Sequence, residues 1–97
     1  MRIIARKALR EFWMGHSTAE GPLQAWFREV EREDWNSPAD LKRRYPSASI
    51  LNGNRVVFNI KGNDYRLVVY INYPYRTVYI RFVGTHSEYD RIDAENV

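Results

Sequence analysis

The spacing of apolar residues changes near Ile50, and that change limits the folds open to the chain. Upstream, Ala5, Ala8, Leu9, Phe12 and Trp13 recur every three to four positions, with Arg6, Lys7 and Arg10 on the other side. Downstream, Val, Ile, Tyr and Phe alternate with polar residues in "RVVFNIK", "YRLVVYINY" and "TVYIRFV", parted by "GND" and "PYR" turn material. A helical period followed by a strand period predicts an α+β layer. An N-terminal αα-hairpin would pack on one face of a small, mainly antiparallel twisted sheet, in a single domain over residues 1–97.

The helical half can be read in some detail. Residues 2 to 4 suit a short strand, and "ARKALREFWM" predicts the first helix. "GHSTAEGP" breaks it. Ser17 and Glu20 have capping-box spacing, although Pro22 favours a start nearer Glu20. Leu23, Trp26, Phe27 and Val30 then form the buried stripe of a second helix through about Asp34. In "NSPADLKRRYP", Ser37 suits the N-cap, Pro38 the first helical position and Asp40 the acidic first turn, while Pro46 ends the helix. Leu41 and Tyr45 would pin it to the core, leaving Lys42, Arg43 and Arg44 outside.

Alternation divides the strands into two faces. Val56, Phe58, Ile60, Leu67, Val69, Ile71, Val78, Ile80 and Phe82 fall on the face that the helices must cover. Arg55, Asn59, Lys61, Arg66, Tyr70, Tyr79 and Arg81 fall on the other, which is expected to stay open. Trp13, Trp26 and Trp35 read as core residues rather than stacking platforms.

Composition narrows the chemistry. The 97 residues contain no cysteine, which removes disulfides, thiolate nucleophiles and Cys-based metal sites. No apolar run approaches the ~20 residues that span a bilayer, and the N-terminus has no cleavage signal, so a cytoplasmic protein is expected. There is no Gly-rich phosphate loop, and the two histidines lack metal-ligand spacing, so no cofactor or metal is expected. Charge is uneven. Between Asn36 and Phe82, eight basic residues face two acidic ones, and twelve of the chain's fifteen basic residues are Arg. Such a window fits either a polyanion partner or a solvated charged face.

The last apolar run closes with "FVGTHSEYDRID", where Gly84 is expected to break the strand and deliver His86, Tyr89 and Asp90. A lone His at a strand end can be a bland surface residue. It can also be an acid or base, since its unperturbed pKa of about 6.5 lies near working pH. Tyr89 could donate a hydrogen bond or proton beside it, and Asp90 could orient the imidazole or cap the terminal turn. Arg, Lys, Tyr and one His suit metal-free phosphodiester chemistry on RNA, whose 2′-hydroxyl supplies the nucleophile. His16, in the helix connection, is expected to be a bystander.

"SPADLKRRYPSASIL", "NRVVFNIKGNDYRLVVYINYPYRTVYIRF" and "VGTHSEYDRID" resemble the HigB family of toxins from type II toxin–antitoxin systems, within the RelE-like superfamily. The likeness runs from about Arg6 to Asp93. It implies an mRNA interferase cutting transcripts on the ribosome, with Arg66, Arg81, His86 and Tyr89 in cleavage. Lys42, Arg43, Arg44, Arg55 and Lys61 would contact RNA. The implied partners are a HigA-type helix-turn-helix antitoxin, mRNA, the ribosome and, through the antitoxin complex, operator DNA, with no membrane. ParE-type relatives leave a second possibility: a non-catalytic poison of a protein target such as DNA gyrase.

Overall fold

The computed structural model describes all residues, 1–97. Strand β1 (Arg2–Ile4) leads into α1 (Arg6–Gly15), a single 3₁₀ turn (Ser17–Ala19), α2 (Glu20–Glu31) and α3 (Pro38–Arg44). The second half is β2 (Ser49–Ile50), β3 (Arg55–Ile60), β4 (Tyr65–Asn72), β5 (Thr77–Thr85) and the short α4 (His86–Tyr89). Strands β2 to β5 form an antiparallel meander, and β1 pairs parallel to β5, giving the order β1-β5-β4-β3-β2. The expected α+β layer is the observed one.

The helices form where the apolar stripes and caps demand. Ser37 caps α3 by accepting the Asp40 N–H, with Pro38 in the first turn. The expected Ser17–Glu20 capping box is absent. Those residues are used instead for the 3₁₀ turn, and Thr18 bonds the Tyr65 hydroxyl at 2.5 Å. Helix α2 ends at Glu31 rather than near Asp34. Trp35, 2% exposed, must turn into the core, and Asp34 pairs with Arg76 in the β4–β5 turn.

Leu9, Trp13, Leu23, Trp26, Val30 and Leu41 cover Val56, Phe58, Leu67, Val69, Ile71 and Val78 in one cluster. Phe58 is central, with the Trp26 and Tyr45 rings edge-on to it at 5.4 and 5.2 Å. Burying one such side chain contributes about 1.5–3 kcal/mol. All three tryptophans are core, as expected. Tyr45 also donates to Glu29. Burial first, and that bond second, push its phenol above the usual range.

One residue resets the second face. The pairing of β4 with β5 slips between Val68 and Val69, so that Val69 faces Ile80, Val68 faces Phe82, and Arg81 is left between them. This β-bulge reverses the parity of the rest of the strand. Phe82 therefore leaves the helix-covered face, where alternation placed it, and packs with Val57, Val68 and Tyr89 on the other. Val83 takes its place against the main core. That second face is not open either. Ile92, Ala94 and Val97 of the C-terminal segment lie over Val57 and Val68, and the Arg55 guanidinium donates to the Val97 carbonyl at 2.8 Å.

Candidate active site

Three pieces of chain meet at the far end of β5. Strand β5 does not break at Gly84; it runs on to Thr85, with Gly84 opposite Arg66 and Thr85 opposite Tyr65. Gly84 is required for a different reason. A Cβ there would stand 2.5 Å from the tip of the Phe82 ring. Thr85 then caps α4 through a true capping box. Its hydroxyl accepts the Glu88 N–H at 3.2 Å, and the Glu88 carboxylate accepts the Thr85 N–H at 2.8 Å. The signal, "THSE", has the same spacing in the sequence as the Ser17–Glu20 pair.

The cap fixes His86 in the first turn of α4. Its backbone N–H donates to the Asp64 carbonyl at 3.3 Å, tying α4 to the β3–β4 turn. Its imidazole Nδ1 lies 3.2 Å from Asp90 Oδ2, one helical turn on. That leaves the other ring nitrogen free on a half-exposed side chain. The Arg66 guanidinium lies 6.0 Å from the Tyr89 ring centre and donates to the Asn63 carbonyl at 3.1 Å. Lys61 pairs with Asp64 in the same turn at 3.4 Å. His86, Tyr89, Asp90, Arg66 and Lys61 thus share one end of the sheet.

Hydrogen bonds dominate the local electrostatics. The Thr85 backbone N–H first, and its hydroxyl second, hold the Glu88 carboxyl below the ordinary range; His16 and Arg91 add to this. The His16 ring, in the α1–α2 connection, stacks on Phe12 at 4.2 Å and meets Tyr65 edge-on at 6.0 Å.

The remaining sequence-selected residues lie elsewhere. Arg81 carries its guanidinium 5.7 and 5.8 Å from the rings of Tyr70 and Tyr79, three residues up β5 from Gly84, roughly 10 Å away. Arg55 joins that group, 5.1 Å over Tyr70. The Val57–Val68 row under Ala94 separates it from Arg66. Lys42, Arg43 and Arg44 belong to the helical layer. Lys42 donates to the Ala48 carbonyl, Arg43 pairs with Asp40, and Arg44 bridges Glu29 of α2 and Glu33 just beyond its end. Every cation of the basic window has a carboxylate or carbonyl partner except Arg81.

A family model described as HigB toxin, a RelE-like toxic component of a toxin–antitoxin system, matches residues 19–92. The chain belongs to the HigB toxin family. The mRNA interferase toxin HigB of Escherichia coli K12 is 30% identical over 92 residues, covering 93% of this chain and 88% of that one. The mRNA interferase HigB of Shigella flexneri aligns with the same figures. That of Escherichia coli O6:H1 is 21% identical over 94 residues, covering 95% and 91%. The matched HigB segment takes in α2, α3, the whole meander and α4, and so contains both polar clusters of the second face. No helix is long and apolar enough to cross a membrane.

Proposed function

We propose that this HigB-family toxin is an mRNA interferase, an endoribonuclease that cuts mRNA on the ribosome by metal-independent acid–base transesterification. The observation that carries the reading is His86, fixed by the Thr85 cap and by Asp90, next to the Arg66–Tyr89 pair. In the reaction, the 2′-hydroxyl beside the scissile phosphate gives its proton to a base and attacks phosphorus. The P–O5′ bond breaks as the departing oxygen takes up a proton, leaving a 2′,3′-cyclic phosphate and a 5′-hydroxyl. His86 takes one proton-transfer role and the Tyr89 phenol the other. Arg66 faces the charge that builds on the phosphorane oxygens. Lys61, at the neighbouring turn, contacts the RNA backbone.

The partner that keeps such a protein harmless is a HigA-type antitoxin with a helix-turn-helix, and their complex occupies operator DNA. The antitoxin binds partly through the acidic run from Glu29 to Asp34, whose Glu29, Glu33 and Asp34 pair with Arg44 and Arg76, or through the exposed basic groups. Brief induction in a bacterium, followed by mapping of transcript ends, tests the activity. New ends carrying 2′,3′-cyclic phosphate are expected. Intact transcripts accompanied by DNA breaks would instead support a poison of gyrase.

A further inference from the structure

Arg81 is the one cation of the basic window with no oxygen partner. Strand alternation puts its side chain on the second face with Tyr79, and the extra residue of the bulge brings Phe82 onto that face as its neighbour in sequence. There it meets only aromatic surface. The Tyr70 and Tyr79 rings face each other across β4 and β5, with centres 5.8 Å apart and planes tilted by 41°. Arg55 closes the far side of Tyr70 while the Val97 carbonyl holds its own fork. The next pair along the strands, Asn72 and Thr77, is uncharged. The result is an exposed guanidinium on two aromatic rings, with no carboxylate to neutralise it.

We infer that Tyr70, Tyr79 and Arg81 form a nucleobase-stacking subsite for single-stranded RNA, separate from the His86 centre. The inference rests on the RNA-cleaving reading above and gives it a determinant of sequence preference. Bases of single-stranded RNA stack on aromatic rings and on guanidinium planes, and an unpaired Arg beside them takes the phosphate. Four residues of β4 separate Tyr70 from Arg66, about 13 Å, further than one nucleotide reaches. The subsite therefore reads a base removed from the cut, with the apolar ridge at Val68 between them.

The test uses the full-length protein, a short RNA with 2′-O-methyl sugars for binding, and the unmodified RNA for single-turnover cleavage. Tyr79→Ala and Arg81→Gln should each raise the Kd and KM, Tyr79→Ala by about five-fold to about 150-fold, the weight of one stacked base. Tyr79→Phe should bind like the parent, because the ring remains. An abasic nucleotide scanned along the RNA should weaken binding to the parent at one position. At that position it should weaken Tyr79→Ala little further. Equal abasic penalties in parent and variant at every position would overturn the subsite. So would an unchanged Kd in Tyr79→Ala, or in Arg81→Gln should the alanine variant fail to fold. The two readings separate cleanly. Binding that depends on Tyr79 without cleavage by the parent keeps the subsite and rejects the nuclease. Cleavage indifferent to Tyr79 and Arg81 does the reverse.

Discussion

The Arg66 guanidinium carbon lies 6.0 Å from the centre of the Tyr89 ring, so strand β4 and helix α4 meet at two side chains suited to phosphate chemistry. His86 stands in the same short helix, with Asp90 on its Nδ1. His86→Ala should slow single-turnover RNA cleavage by roughly 10²–10⁴-fold, the usual weight of an acid–base group. His86→Gln should be nearly as slow. Arg66→Ala should lose both rate and RNA affinity, since it removes charge from the phosphorane and from the bound strand. A folded His86→Ala protein cutting at close to the parental rate would move the proton transfer to Tyr89.

The cap that holds His86 should show itself in acid. Thr85→Ala should cost about 0.5–2 kcal/mol of stability, as loss of an N-cap does. Glu88 has its carboxyl held below the ordinary value by the Thr85 N–H and hydroxyl. A depressed carboxyl contributes stability that is present above its unfolded pKa, near 4.5, and is lost as pH falls through the folded value. Melting curves of the parent and Glu88→Gln should therefore differ at neutral pH and converge in acid. A gap that persists at low pH would assign the difference to something other than ionisation.

Gly84→Ala places a methyl group on the Phe82 ring, which packs against the Val57, Val68 and Ala94 cluster. Overpacking of this kind costs about 1–3 kcal/mol. Phe82→Leu in the same chain should recover much of the loss, which urea unfolding of the single and double variants can measure. A Gly84→Ala protein as stable as the parent would show that the ring swings away freely.

Salt dependence should distinguish the sheet from the helices. Contacts from Lys61, Arg66 and Arg81 predict a slope of log K against log salt of about −2, at about −0.7 for each phosphate on a single strand. Arg43→Ala and Arg44→Ala should leave that slope unchanged, because both cations lie on α3 in the helical layer rather than on the second face. A slope that falls with Arg43 or Arg44 would bring α3 into the RNA path.

Local signals were the legible ones. Ser37, Pro38 and Pro46 bounded α3 because capping and proline geometry act within a few residues. Alternation sorted Val56 through Ile80 onto the right faces for the same reason, and His86, Tyr89 and Arg66 do come together. The errors came from tertiary choices. Nothing in "YIRFV" marks the position of the extra residue, so plain alternation puts Phe82 on the wrong face while leaving Arg81 on the right one. "STAE" and "THSE" both have box spacing, and only the packing of Thr18 on Tyr65 decides between them. The C-terminal segment shows no apolar period, because Ile92, Ala94 and Val97 are spread among charges. Their burial depends on Val57 and Val68, the second-face valines that they cover.

The parallel pairing of Ile3 with Val78 sets an order of birth for the molecule. Strand β1 finds its partner in β5, with the helices and the rest of the meander between them, and α4 is translated later still. The meander can assemble locally, but closing so long a loop must wait for the last quarter of the chain. A half-made copy is thus a sheet lacking both β1's partner and His86. The candidate centre therefore comes into being only with β5 and α4, after every helix of the covering layer has been made.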